Sequence, residues 1–480
     1  MSLRKKTISG LTWNFAQQFS VQLIGFCVTI ILARILLPAE FGLIAMLTVF
    51  IAVGNSLLDS GLTSSLIRSS SLGRDDYSTV FFFNLIGSIV LYGIVYICAP
   101  LISSFYHQEV LTLILRIYAL EFIINAFFGV QNARLTKEMN FKIQMKIQIP
   151  AVLAGGLLGV SLALNGYGVW SLVWMGLFQS FLSTVMHWIY SGWTPDWVFS
   201  KSCFKRHFSF GYKMTLTGLL EVLYRNIYVL IIGKNYSVVQ LAFYARADSV
   251  SQLPIANISA VINKVTYPMF ASIADDDLRL KAVYKKLMQQ VVFWNAPILI
   301  LLAVIAEPLF RFLLTSKWVP AVPYFQILCI AGVMYPLHAY NLNILKVKGR
   351  SDLILKLELI KKIICIAGIL CVLPFGIYGL LYFQLIFNFV AYYINSIYSG
   401  RLINYSIREQ ITDIIPIIMA SAFAGLMCYV ADRFCFSSLQ LPDFISLVIN
   451  GFFFFLIYLV SSTFLRLPPI NDFKQLILTR

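Results

Sequence analysis

Apolar residues in this chain come in runs of about twenty, separated by short polar segments that hold most of the Lys and Arg. A helix needs about 20 such residues to cross the hydrocarbon core of a bilayer. The pattern predicts fourteen spans, at 11–36, 41–66, 78–99, 110–130, 144–164, 168–190, 208–232, 248–270, 288–314, 320–345, 353–373, 376–399, 411–431 and 442–465.

The basic residues test that count, because cytoplasmic segments of a membrane protein carry an excess of Lys and Arg. With the N-terminal tail and every second loop taken as cytoplasmic, 28 of the 37 basic residues fall on that side, from Arg4 to the loop of Lys346–Lys362 and the tail of Arg466, Lys474 and Arg480. Seven lie opposite (Arg34, Arg116, Lys234, Arg246, Arg311, Lys317 and Arg433), and Arg225 and Lys264 fall inside spans. A miscounted span would invert the alternation beyond the error, and no inversion occurs. The expectation is an all-α membrane protein of fourteen helices with both termini cytoplasmic, its first span uncleaved.

Composition agrees: 59% of the 480 residues are hydrophobic, 12% are charged, and the mean hydropathy is +0.80. The net charge of +16 is scattered between apolar runs and forms no basic face, so nucleic acid is excluded as a partner. Eight Cys and four His stand at no metal-ligand spacing. Neither a phosphate loop nor a loop long enough for a catalytic domain occurs, so no cofactor and no enzyme activity are expected. The run Asp275–Asp277 lacks calcium-loop spacing and reads as a solvated turn before a basic helix.

Span 1, preceded by Gly10, is followed by LLPAEFGLIAM, and span 7, preceded by Gly211, by YSVVQLAFYAR, an offset of about 200 residues. That offset covers six spans, an even number. The halves would share one orientation about a pseudo-two-fold along the membrane normal, a transporter architecture. Two six-helix lobes, 1–195 and 196–400, with helices 13 and 14 and a tail in 401–480, are the expected domains.

In order, SLRKKTISGLTW, LARILLPAEFGLIAM, DSGLTSSLIR, LTKEMNFK, NKVTYPMFASIADD and KWVPAVPYFQILCIAG resemble bacterial polysaccharide exporters of the O-antigen and colanic acid flippase type. These belong to the multidrug/oligosaccharidyl-lipid/polysaccharide flippase superfamily. The resemblance implies an inner-membrane flippase that moves an undecaprenyl-diphosphate-linked oligosaccharide by alternating access for surface polysaccharide synthesis. Polysaccharide polymerase and assembly proteins would be its partners. A drug or small-molecule antiporter of the same superfamily is the second reading, and a polymerase or ligase a third, disfavoured by the short external loops.

Such a flippase needs polar groups for sugars and cations for the diphosphate. Span 1 carries Asn14, Gln18, Gln22 and Gly25 on one helical face, either lining a cavity or bonding to a neighbouring helix. Span 7 carries Thr217, Glu221, Arg225 and Tyr228 at the same spacing. Glu221 and Arg225, at i and i+4, are either a self-neutralised pair or a substrate cation beside an ion-coupling carboxylate. The resembling proteins hold uncharged polar residues there, so the pair is not implied by the resemblance.

Glu121, near the centre of span 4 with no partner at i±4, is a candidate for ion coupling. Arg116 lies about 140° from it around the helix and either meets substrate or snorkels. Lys264, one turn inside Pro268, either snorkels or captures diphosphate. Asp59 sits near the cytoplasmic end of span 2 as an ion-coupling candidate or, preferably, a structural lock. Prolines 254, 268, 297, 320, 323 and 336 are expected to kink the second lobe, and the Trp-rich span ends to form an interfacial belt.

Overall fold

Within a bilayer each backbone N–H and C=O must find its partner inside the protein, which leaves the helix as the local solution for an apolar chain without barrel patterning. The structure, a computed structural model, describes residues 3–59, 61–69, 72–436 and 441–470; the side chains of 3–9, 11, 59, 260–265 and 436 are outside the described set. Among the described residues there is no strand.

The helices are α1 (Leu3–Ile35), α2 (Pro38–Asp59), α3 (Leu62–Arg68), α4 (Arg74–Tyr106), α5 (Val110–Tyr118), α6 (Leu120–Lys137), α7 (Phe141–Leu164), α8 (Val169–Ser191), α9 (Lys201–Arg225) and α10 (Ile227–Asn235). They continue as α11 (Val238–Ala271), α12 (Asp277–Val304), α13 (Ala306–Leu314), α14 (Val322–Gly332), α15 (Tyr335–Val347), α16 (Ser351–Val372), α17 (Gly376–Leu402), α18 (Ile407–Ala431) and α19 (Asp443–Phe464). Eleven helical stretches of the described residues are long and apolar enough to cross a membrane, or twelve if the bent pair α9–α10 is one span. Two predicted spans, 353–373 and 376–399, fall in the single stretch Ser351–Leu402, where a short 3-10 turn joins α16 to α17. A third, 248–270, lies on α11, part of whose side chains are outside the described set.

The chain divides into two compact units, Met1–Ala242 and Phe243–Arg480. In the first, the α7 glycines admit close neighbours: Gly156 meets Val28 of α1, and Gly155 and Gly159 meet Gln179 and Met175 of α8. Small residues of this kind let membrane helices approach until their backbones nearly touch. Helix α9 packs on α2, α3 and α4. His207 is fully buried, with Nδ1 2.7 Å from Ser65 Oγ and Nε2 3.0 Å from Asp76 Oδ1. Arg206 pairs with the same carboxylate, Gly73 N–H donates to it at 2.9 Å, and the Arg68 guanidinium lies 4.7 Å over the Phe210 ring.

At the offset of the sequence repeat, helix ends and caps coincide. Helices α1 and α10 end at Ile35 and Asn235, and α2 and α11 begin at Pro38 and Val238. Each new helix is capped alike: Leu37 N–H donates to Glu40 Oε2 (2.7 Å), and Ser237 N–H to Gln240 Oε1 (3.2 Å). The same cap recurs at one offset because the orphan N–H groups of a helix start need acceptors.

In the second unit, Asp276 caps α12 by accepting from Arg279 N–H at 2.9 Å, as a solvated turn before a basic helix should. Ion pairs Lys281–Glu409 (2.8 Å), Lys285–Asp413 (2.8 Å) and Lys348–Asp277 (2.6 Å) join α12 to α18 and to the end of α15. Pro254, Pro268 and Pro297 sit inside helices, as kinks require. Pro320 lies in a 3-10 turn, and Pro323 and Pro336 stand at helix starts, where a missing N–H is harmless. Trp193 is buried against Leu62, Phe81 and Val130 instead of joining an interfacial belt, whereas Trp197 is exposed.

Gly61 has φ +60°, and a Cβ there would lie 2.6 Å from the Gly211 carbonyl oxygen. Gly61→Ala should therefore destabilise the first unit by about 2 kcal/mol. A lowered thermal midpoint of the purified protein in detergent would register this, while Gly129→Ala, where a Cβ meets nothing within 4 Å, should leave the midpoint unchanged or raised.

Candidate functional site

The span at 110–137 is interrupted at Ala119, which puts Glu121 in the first turn of α6. Glu121 Oε1 accepts from Asn125 Nδ2 at 3.2 Å, so a partner does stand at i+4, contrary to the sequence expectation. That expectation weighed opposite charge, and a neutral amide fills the place.

Glu121 and Asn125 line a cavity of about 270 Å³ with Gln148 of α7 and Gln179, Ser180 and Ser183 of α8; Val21, Phe128, Ala151 and Val152 supply its apolar wall. Gln148 Oε1 accepts from Gln17 Nε2 at 2.9 Å, and Gln17 is buried. One carboxylate among amides and hydroxyls, in a chamber walled by apolar groups, can hold a proton or a small hard cation. Among the described residues no cluster of three or more His, Cys, Asp or Glu could hold a metal ion.

The polar face of α1 is turned elsewhere. Gln18 and Gln22 are exposed and Asn14 is half-buried, beside exposed Phe15 and Phe19, and a Cβ on Gly25 would meet nothing within 4 Å. Helix α9 ends at Arg225, Asn226 Nδ2 closes the break by donating to the Val222 carbonyl at 2.8 Å, and α10 departs at 47°. Glu221 and Arg225 are both exposed, and among the described residues no hydrogen bond or ion pair joins them. Tyr228, beyond the break, is buried and leaves the predicted stripe.

Arg116 Nε donates to the Tyr96 carbonyl at 3.2 Å, and its guanidinium lies 4.2 Å over the Tyr96 ring, away from Glu121. Asp59 closes α2 and Lys264 lies on α11; their side chains are outside the described set. Of the described candidates, only Glu121 reaches the cavity, and sequence reasoning missed Gln17, Asn125, Gln148 and Gln179. The spacing of Glu121 and Asn125 was the available signal. A second, charged cleft of about 650 Å³ in Phe243–Arg480 holds Glu307, Arg311, Gln326, Asp432, Arg433 and Asp443, with Arg311 Nε donating to Asp443 Oδ1 at 3.0 Å.

Residues 31–323, more than half of the chain, match the family described as polysaccharide biosynthesis protein. The chain belongs to that family. It is 29% identical over 376 residues to an uncharacterised membrane protein in the cps region of Klebsiella pneumoniae, covering 76% of each chain. It is 27% identical to the lipopolysaccharide biosynthesis protein WzxC of Escherichia coli (77% and 75% covered) and 26% identical to the teichuronic acid biosynthesis protein TuaB of Bacillus subtilis (73% of each). Its fold is that of the lipid II flippase MurJ in an inward closed conformation, with TM-score 0.75 and 14% identity over 95% of this chain and 99% of that one. The inward-facing conformation of a multidrug resistance MATE family transporter of the MOP superfamily matches with TM-score 0.62 and 18% identity, over 80% and 94%. This family member is thus a multi-pass membrane protein with a flippase fold, and its named relatives and neighbours are transport or biosynthesis proteins of membranes.

The Gln17–Gln148 bond ties α1 to the cavity wall. A double-mutant cycle of Gln17→Leu and Gln148→Leu, followed by unfolding in bicelles, should give a coupling of about 0.6 kcal/mol, the usual size for such bonds inside a bilayer. A coupling indistinguishable from zero would separate the two residues.

Proposed function

We propose that this family member carries an undecaprenyl-diphosphate-linked oligosaccharide repeat unit across the bacterial inner membrane by alternating access, for surface polysaccharide synthesis. The observation that supports this most is the combination of a polysaccharide-biosynthesis family match with a fold shared over 95% of the chain with a lipid II flippase. On this reading the chain crosses the membrane fourteen times with both termini cytoplasmic. Its lobes are 1–195 and 196–400, with two further helices in 401–480, and polysaccharide polymerase and assembly proteins take the product.

The exposed amides of Gln18 and Gln22, with Asn14, offer hydrogen bonds to sugar hydroxyls. An exposed amide in hydrocarbon would lack any partner, so this face is best served by water and carbohydrate. Arg225, exposed at the break in span 7 with no ion pair among the described residues, is the cation for the diphosphate, with Lys264 and Arg116 as further candidate basic residues. Broken membrane helices recur at transporter binding sites because they free backbone and side-chain groups at depth. Glu121, in its polar chamber, binds the proton or cation that drives the cycle; Glu221 and Asp59 are the other candidate carboxylates.

The likeness to a multidrug transporter favours a second reading, export of a small molecule by ion antiport. Deletion of the gene separates the two: loss of surface polysaccharide, with lipid-linked repeat units accumulating on the cytoplasmic leaflet and drug sensitivity unchanged, supports the flippase. In the deletion strain, Arg225→Ala should restore less than about a tenth of the polysaccharide, a loss of roughly 1.4 kcal/mol or more in productive binding, while Arg225→Lys restores most of it. Glu121→Gln should abolish dependence on the ion gradient. Full rescue by Arg225→Ala and Glu121→Gln would remove both residues from the mechanism and leave the transport reading standing.

A further inference from the structure

Helix α9 has two unlike sides beyond its docked face. Tyr212 and Leu216 line an apolar groove of about 430 Å³, closed on its other sides by Leu58 of α2 and by Phe83, Asn84, Gly87 and Ile94 of α4. Thr217 and Glu221 each follow a groove residue by five positions, about 140° around the helix. The apolar groove and the polar stripe therefore lie on opposite flanks of one helix.

Two groups mark the groove as a place for a ligand with a polar end. Asn84 is 6% exposed, and its Oδ1, an acceptor, has no hydrogen-bond partner among the described residues, although a buried amide oxygen in an apolar wall is costly until a donor reaches it. Lys213 is exposed between the groove and the stripe, with Nζ 5.9 Å from the Tyr212 ring and no ion pair among the described residues. From Phe83 to Ile94 the groove runs about 16 Å, roughly half of a hydrocarbon core. A partner's membrane helix would need the full thickness, whereas a lipid chain in one leaflet needs only half.

We propose that this groove seats the polyprenyl chain of a lipid diphosphate, with Lys213 at its lip meeting the diphosphate and Asn84 Oδ1 accepting from a hydroxyl of the sugar that the diphosphate carries. The inference rests on the flippase reading and adds to it a place for the tail. A diphosphate carries more charge to Lys213 than the single phosphate of a bulk phospholipid, which selects the carrier lipid.

The test uses the full chain in vesicles of phosphatidylethanolamine and phosphatidylglycerol with a polyprenyl diphosphate bearing a diazirine in its isoprenoid chain. Photolysis should label peptides covering 83–94 and 208–216. Unlabelled polyprenyl diphosphate should compete and excess phosphatidylglycerol should not. Gly87→Trp, at a position where a Cβ meets nothing within 4 Å, should cut labelling and transport about tenfold while gel filtration stays unchanged. Lys213→Ala should weaken competition by the diphosphate, and Lys213→Arg should restore it. Equal competition by phosphatidylglycerol assigns the groove to bulk lipid, labelling that falls with protein density assigns it to a second copy, and unchanged labelling in Gly87→Trp empties it; each overturns the proposal. Competed labelling of the groove without any oligosaccharide transport would instead overturn the flippase reading alone.

Discussion

Every polar group within a bilayer must be satisfied by the protein itself, by water or by a ligand, and this constraint governs what each irregularity in the chain means. The break at Asn226 is closed by that residue's own amide on the Val222 carbonyl, and the interruption at Ala119 is followed at once by Glu121 held by Asn125. Both irregularities are internally mended. What stays unmended is therefore informative: the amides of Gln18 and Gln22, the charges of Glu221 and Arg225, and the buried oxygen of Asn84. On the reading proposed above, each of these faces water, substrate or lipid headgroup in use.

The anchor of α9 shows the opposite treatment of charge. Asp76 is nearly buried, but it receives Gly73 N–H, His207 and Arg206 together, so its desolvation is offset by several donors at once. The result is a helix fixed near its start, with Glu221 and Arg225 exposed toward its end. It carries an apolar flank and a polar flank that need not compete for packing. A lipid-linked sugar has the same two-sided chemistry, a tail that avoids water and a head that requires it.

The all-helical membrane architecture was legible because the length of the apolar runs is set by the membrane. At the offset of LLPAEFG and YSVVQLA the structure has matching caps, made by Glu40 and Gln240. The cavity was less legible. Gln17, one position from the predicted Gln18, points 100° away and reaches Gln148. A stripe of polar residues identifies a face only to within that angle, and the buried member of the cluster belonged to the adjoining face. The break after Arg225 was illegible for another reason: LLEVLYRNIYVLIIG contains no Pro and no Gly before its last position, and an ordinary Asn in a bridging conformation makes the bend.

Glu221 and Arg225 stand on one unbroken helix before that break, and among the described residues no ion pair joins them. Their i, i+4 spacing suits an ion pair, but such a pair in water is worth only about 0.5 kcal/mol and holds two long side chains in one arrangement. In hydrocarbon the balance reverses, because the attraction grows as the dielectric falls and two unpaired charges one turn apart become untenable. A helix that leaves both charges exposed and apart at the end of its last turn is thus matched to a wet surface. In that setting Arg225 keeps its donors free, and an arriving diphosphate would not first have to displace Glu221.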